Sequence, residues 1–224
     1  MYKISITPEE IDKLELVSFP GKIKVIDGVG LEFLSAVRYL KRQRIIGFDT
    51  ESRPTFSPDQ PHYGVSLLQL SGAEKAFLFR IKLMGGIPKP LRSILSNESI
   101  IKVGAAVNDD VRGLERHHDF IPRGFVDLQK IVWEYGIKDK AVKKMAAIIL
   151  GIKISKTQQL SNWEADTLSD AQQAYAATDA WVCREMYLKL KSSKKHPLTP
   201  EQMMPNPPKN QAKNDEDNTQ EGQG

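Results

Sequence analysis

The sequence predicts an α/β domain built on a mixed central β-sheet. Three observations carry that expectation. Short apolar runs of strand character come first along the chain, and later ones alternate with segments of helical spacing. The 224 residues fit one domain with a sizeable core. A content of 40% apolar and 27% charged residues is usual for soluble globular proteins.

The elements read off in order. Lys22 to Asp27 alternates polar and apolar residues, as a half-buried strand does. Leu31, Phe33, Leu34, Val37 and Leu40 follow helical spacing. Ile45 to Asp49 is an apolar run ending in an acid, which predicts a buried strand. Val65 to Leu70 and Lys75 to Phe79 predict two strands joined as a hairpin through Ser71-Gly72-Ala73. Pro88 to Leu95 predicts a short helix with proline tolerated in its first turn. Ile100 to Gly104 is another buried strand, followed by helical patterns over Val107–His117, Val126–Tyr135 and Ala141–Leu150. Gly151 is placed as a C-cap for the last of these. Ser169 to Lys191 carries a long helical pattern, and Ser169 and Gln172 have the spacing of a capping box at its start. Beyond about Ser192 the chain turns rich in Pro, Asn, Asp, Glu, Gln and Gly, with almost no apolar residues. Such a stretch cannot offset its ordering entropy, so residues 1–193 are expected to form the domain and 194–224 a disordered tail.

No run of about 18 apolar residues is present, so no membrane span or membrane partner is expected. The segment Met1-Tyr2-Lys3-Ile4-Ser5 lacks the apolar core of a secretory signal. Cys183 is the single cysteine and cannot form an internal disulfide; it reads as a small buried hydrophobe in a reducing, cytoplasmic setting. The net charge of +4 is uneven. From His196 onward two lysines face five acids, which leaves 30 basic against 23 acidic residues, or +7, in the rest of the chain. A basic body suits a polyanionic partner.

Four acids are candidates for chemistry. Asp49 and Glu51 sit two apart in or just after a strand and so share a face. Two adjacent like charges are costly unless a cation neutralises them, and hard divalent ions prefer oxygen ligands. An exposed acidic turn accounts for this pair taken alone. Asp109 and Asp110 open a helix, where dipole compensation alone accounts for acids. Tyr175 and Asp179 share a face of the long helix at i, i+4. Ala176, Ala177 and Ala180 let that helix approach a sheet closely, and a core tyrosine accounts for Tyr175 alone. Taken together, three segments could supply a cage of four carboxylates for two divalent metal ions, which in phosphodiester cleavage lie about 3.5–4 Å apart.

The stretches Ile46-Gly47-Phe48-Asp49-Thr50-Glu51, Lys102 to Asp110 and Tyr175-Ala176-Ala177-Thr178-Asp179-Ala180 occur in the order of three known motifs. Through them the chain resembles the DEDD superfamily of 3′→5′ exonucleases. The likeness is to its tyrosine-bearing branch, which includes RNase D and Werner-type exonuclease domains. Leu160-Ser161-Asn162-Trp163 and Leu168-Ser169-Asp170-Ala171-Gln172 are similar to that branch's lead-in to the third motif. The resemblance covers residues 22–191 and implies a ribonuclease H-like fold, a mixed sheet flanked by helices. It also implies a free-standing catalytic domain that uses two Mg²⁺ or Mn²⁺ ions and acts on nucleic acid with a free 3′ end: single-stranded DNA or RNA, or a 3′ overhang. Asp49, Glu51 and Asp179 would hold the first ion, with Asp49 and Asp110 at the second. Tyr175 would position, and help deprotonate, the attacking water. A catalytically silent nucleic-acid-binding module on the same fold is the alternative; loss of a carboxylate or of Tyr175 would favour it, and none is missing.

Two positions depart from the pattern. Ser52 stands where many Werner-type sequences carry a bulky aromatic, which moves the expected base wedge to Phe56 or another loop residue. Asp166-Thr167 stands where many RNase D-like sequences have Arg-Pro. Thr50, Ser52 and Lys156 are expected substrate contacts; Lys102, Arg112 and Arg53 are weaker phosphate candidates. His117 and His118 are assigned no metal role, and Trp133, Trp163 and Trp181 are assigned to packing.

Overall fold

In the computed structural model, which describes residues 1–57 and 63–204, six strands form one sheet in the order β1-β4-β3-β2-β5-β6. The strands are β1 (Lys22–Ile26), β2 (Ile45–Ser52), β3 (Val65–Ser71), β4 (Lys75–Arg80), β5 (Ile101–Gly104) and β6 (Phe125–Asp127). β3 runs antiparallel to both of its neighbours, and every other pairing is parallel. The helices are α1 (Pro8–Asp12), α2 (Leu31–Lys41), α3 (Lys89–Leu95), α4 (Val107–Glu115), α5 (Leu128–Ile131), α6 (Val142–Leu150), α7 (Asp170–Lys191) and α8 (Pro200–Met203). The expected mixed sheet flanked by helices is therefore observed.

The two faces of the sheet bury different sets. Phe48, Leu68, Leu70, Phe77 and Phe79 point to one side and pack against α2, α3 and α4. Leu67, Ala76 and Leu78 alternate with them and face Ala176 and Ala177 of α7. Val103, together with α5 and α6, meets the C-terminal half of α7 at Val182, Cys183 and Met186. Each such large apolar side chain contributes about 1.5–3 kcal/mol when fully buried. Cys183 is buried among them, as its sequence context suggests.

α7 starts as its sequence predicts. The Ser169 hydroxyl accepts from Gln172 N at 3.2 Å, and the Gln172 side chain accepts from Ser169 N at 3.0 Å. Gly151 closes α6 in the left-handed region, at φ 73°. Other elements differ from expectation. The segment expected as one helix over 126–135 is β6, then α5, then a 3₁₀ turn over Val132–Tyr135. β6 has only three residues, too few for alternation to show, and its pairing with β5 fixes it as strand. β2 continues past Asp49 to Ser52 because β3 pairs with it from Gly47 through Ser52. α1 is not foreseen; Thr7 and Glu10 cap it reciprocally.

Residues 194–204, expected as the start of a tail, pack onto the body. His196 N donates to Glu134 O and Leu198 N to Trp133 O, both at 2.9 Å, and the Leu198 side chain is 6% exposed. A single leucine supplies the anchor where the surrounding composition points to a linker. The rest of the expected tail, 205–224, lies outside the described residues.

Candidate active site

The site forms where β2 outruns β5. Pairing between the two ends at Gly47 and Val103, so Phe48 to Ser52 extend beyond that neighbour while still paired with β3. Asp49 and Glu51 share the face covered by α7. α7 lies directly on β2, and Asp179 projects from it toward both acids. Carboxylate oxygens of Asp49, Glu51 and Asp179 lie within 4.8 Å of one another.

Asp110 stands outside that triplet. It comes from the first turn of α4, and its Oδ1 accepts from the Thr50 hydroxyl at 2.5 Å. Thr50 alternates with Asp49 and Glu51 along β2, so its hydroxyl ties the fourth acid to the same strand. Asp110 is still near enough for its charge to disfavour ionisation of Asp49 and Glu51. The turn into α4 is held in an unusual conformation. Ala106 has φ 58°, a left-handed backbone that alanine rarely adopts, and its N–H donates to Asp127 Oδ1 at 3.1 Å. Asp127 also caps α5 through Gln129 N, so one carboxylate fixes two element starts.

Burial raises the pKa of every acid in the set, and repulsion from the other members adds to it at Asp49 and Glu51. Burial, then Asp179 and Glu51, push Asp49 well above the usual carboxylate range. Burial, then Asp179 and Asp110, lift Glu51 to about 9. Asp179 rises to about 7 through burial, opposed by a hydrogen bond from Tyr175 and by the positive charge of Lys156. Asp110 rises to about 6 through burial, opposed by its hydrogen bond from Thr50. Tyr175 is 9% exposed. Burial first, then the negative charge of Asp179, Glu51 and Asp49, holds its hydroxyl protonated above its ordinary value. A compact set of hard oxygen donors whose negative charges penalise one another fits divalent cations.

Lys156 is exposed in the loop before α7, close enough for its charge to act on Asp179. Ser52 ends β2, just past an irregularity in its pairing with β3. Ser155 and Thr157 join Val17 and Ser18 around a cavity of about 260 Å³ that reaches Tyr175 and Asp179. The N-terminal segment had no functional signal in the sequence. Its placement depends on Val17 N donating to Lys153 O at 2.8 Å and Phe19 N to the Thr178 hydroxyl at 2.9 Å.

The weaker basic candidates separate. Lys102 is 0% exposed, and its ammonium donates to Asn97 O at 2.6 Å and Ile100 O at 2.7 Å, so it braces the turn after α3 and meets no phosphate. Arg112 pairs with Asp109 on the surface, and Arg53 lies 4.7 Å over the Tyr63 ring. Phe56 is 73% exposed. His118 Nδ1 accepts from Ile87 N at 3.0 Å, a packing role away from the acids. Trp163 is buried 6.0 Å from Tyr175, while Trp133 is partly exposed. Among the described residues no helix is long and apolar enough to cross a membrane.

Residues 31–194 match a family described as 3′-5′ exonuclease. The chain is 35% identical over 150 residues to Exonuclease 3′-5′ domain-containing protein 2 of Drosophila melanogaster, covering 66% of this chain and 25% of that protein. It is 31% identical over 188 residues to the bifunctional 3′-5′ exonuclease/ATP-dependent helicase WRN of Mus musculus, covering 80% of this chain and 13% of that protein. Among solved structures, the Aedes aegypti Nibbler EXO domain aligns with a TM-score of 0.67 at 21% identity, over 78% of this chain and 91% of that one. Escherichia coli RNase D aligns with a TM-score of 0.66 at 21% identity, over 76% of this chain and 46% of that one. These likenesses establish the fold as ribonuclease H-like. The chain spans a quarter or less of the two curated relatives.

Proposed function

This chain belongs to the 3′-5′ exonuclease family, and on that premise we propose that it removes nucleotides from the 3′ end of a nucleic-acid strand with the aid of two divalent metal ions, Mg²⁺ or Mn²⁺, releasing nucleoside 5′-monophosphates. The observation that carries the reading is the convergence of Asp49, Glu51 and Asp179 within 4.8 Å, with Asp110 tethered beside them by Thr50. Asp49, Glu51 and Asp179 would hold one ion, and Asp49 with Asp110 the other. When bound, such ions lower the pKa of water and stabilise negative charge on the attacking and leaving oxygens.

The chain's own groups supply position. In the reaction, water attacks the terminal phosphorus, the bond to the 3′ oxygen breaks, and that oxygen takes up a proton. The Tyr175 hydroxyl, whose own proton is donated to Asp179, accepts a hydrogen bond from the water and so orients it. Lys156, exposed at the rim, contacts a backbone phosphate. Thr50 serves the substrate indirectly by fixing Asp110. Single-stranded DNA or RNA, or a 3′ overhang, is the substrate class, and the basic charge of the domain favours its approach.

The test is digestion of 5′-labelled single-stranded DNA and RNA in Mg²⁺ or Mn²⁺, with and without chelator. A ladder shortening one nucleotide at a time, abolished by chelator, is expected. Undiminished cleavage in excess chelator, or a labelled mononucleotide as the first product, overturns the reading.

A further inference from the structure

One polar side chain on the α7 face of the sheet has no hydrogen-bond partner among the described residues. Gln69 lies mid-way along β3 and is 0% exposed. Neither its Nε2 nor its Oε1 makes a hydrogen bond among the described residues. Leaving an amide buried and unpaired is costly, so such groups are rare in folded proteins. Leu67, two residues away, and Leu78, opposite on β4, show that this face accepts apolar residues of similar size.

The ladder register sets what lies beside it. Gln69 pairs with Asp49 across the antiparallel β2–β3 ladder. Residues directly opposite in such a pair point to the same face with their Cβ atoms about 4.5–5.5 Å apart. The two side chains therefore leave the ladder side by side on the face beneath α7, and no hydrogen bond joins them. Neighbouring hydroxyls on this face are engaged elsewhere: Ser71 donates to Gly72 O, while Thr178 donates to Ala174 O and accepts from Phe19 N.

Resting on the exonuclease reading above, we propose that Gln69 is a positioning residue: once an ion draws the Asp49 carboxylate into place, the unpaired Gln69 amide turns to donate to it and fixes which oxygen that acid offers. Asp49 would be shared between both ion positions, so its orientation would govern the whole set. Groups that orient a ligand in this way are worth about 10–100-fold in metal affinity. Gln69 touches no substrate and acts only through Asp49.

The experiment is calorimetric titration of Mn²⁺ into the full chain without nucleic acid, for the parent, Gln69→Leu and Gln69→Met. Both variants remove the amide at nearly constant volume, and methionine adapts where leucine does not fit. The expected result is Mn²⁺ binding about 10–100-fold weaker, with unchanged or higher melting temperature in chelator. Single-turnover cleavage should slow while KM for the oligonucleotide holds. In an Asp49→Asn background, Gln69→Leu should weaken binding no further. In ¹⁵N-labelled parent protein, the Gln69 side-chain amide resonance should shift on adding Mg²⁺, and this reading needs no variant to fold. Parent-like Mn²⁺ affinity in both variants, or an amide resonance that ignores Mg²⁺, overturns the assignment and leaves the exonuclease reading standing. A parent that takes up no Mn²⁺ and cleaves nothing overturns both.

Discussion

A Cβ built on Gly47 would lie 1.8 Å from the carbonyl oxygen of Ala180, so the backbones of β2 and α7 touch at that pair. Asp49 follows Gly47 by two residues, and Asp179 precedes Ala180 by one. This contact sets the separation of the two carboxylates. A helix held further off by one methyl group would carry Asp179 away from Asp49 and Glu51.

Gly47→Ala should therefore damage both stability and the site. The clash is backbone against side chain, and no flexible group can yield. A loss of about 3 kcal/mol, the upper end of ordinary overpacking, is expected in denaturant unfolding. Mn²⁺ uptake should fall with it. A variant as stable as the parent, with parent-like Mn²⁺ affinity, would show that α7 can ride up without cost.

Asp109 and Asp110 are neighbours with opposite expectations. The Asp109 side chain is 86% exposed and pairs loosely with Arg112 at 3.8 Å, a surface contact worth well under about 1 kcal/mol. Asp110 is bound to Thr50 beside the other acids. Asp110→Asn should lower the single-turnover cleavage rate by at least about 10²–10⁴-fold, the scale of losing one positioned catalytic group. Asp109→Asn should stay near the parent. Equal, full activity in the two variants would remove Asp110 from the site.

Stability of the metal-free protein should fall as pH rises through neutrality. Glu51 is lifted to about 9 by burial and then by Asp179 and Asp110, and Asp179 to about 7 by burial. Folded pKa values above the unfolded ones mean that the folded state holds the extra protons. Their stabilising contribution is complete below the unfolded carboxylate range and is lost as pH climbs toward 7 and then 9. His117 and Lys102, both lowered by burial, work in the opposite direction near and above neutrality. Comparison with Glu51→Gln isolates the acid. In chelator, the variant should match the parent in melting temperature near pH 4.5 and exceed it at pH 8. Adding Mg²⁺ should reverse the order at pH 8, because ions compete with those protons. A parent with a flat chelated profile between these limits would contradict the shifts.

Much of this site is legible from residue types and spacing. Asp49 and Glu51 share a strand face whatever the strand's end, and Tyr175 and Asp179 share a helix face among alanines that announce close packing. What spacing cannot show is pairing across the sheet. Gln69 carries no signal within the expected strand Val65–Leu70, and its burial follows from β3 being covered on both faces. Thr50 reads as a substrate contact until α4 is placed, when its hydroxyl is found on Asp110. Lys102 reads as a surface cation because one charge in a four-residue strand gives no sign that its ammonium caps carbonyls inside. β6 is invisible because three residues owe their conformation to β5 alone.

The chain end offers a test of the packed segment beyond Ser193. Stopping at Ser193 removes Leu198, which is 6% exposed, and the two backbone bonds to Glu134 and Trp133. Burial of one leucine is worth about 1.5–3 kcal/mol, so the melting temperature should drop measurably. Stopping at Met204 should leave it unchanged, since residues 205–224 offer a single alanine and no larger apolar side chain. Equal melting of the two truncations would mean that the segment contributes nothing to stability.

Tyr175→Phe separates orientation from packing. The ring is buried against Trp163 at 6.0 Å, and phenylalanine keeps that contact. The hydroxyl is what changes: it bonds Asp179 and is kept protonated by burial and the surrounding acids. With its own proton donated to Asp179, the hydroxyl can accept a hydrogen bond from the attacking water and hold it in line. Losing it should slow the single-turnover rate by about 10²–10⁴-fold. Mn²⁺ affinity should change little, because the four carboxylates remain. The acidic limb of the pH–rate profile should move up in pH, since Asp179 loses the hydrogen bond that opposes its raised pKa. The measurements are single-turnover cleavage across pH and Mn²⁺ titration of the same preparation. A Tyr175→Phe enzyme as fast as the parent, with an unmoved pH profile, would leave the tyrosine as a packing residue and pass the orientation of water to another group.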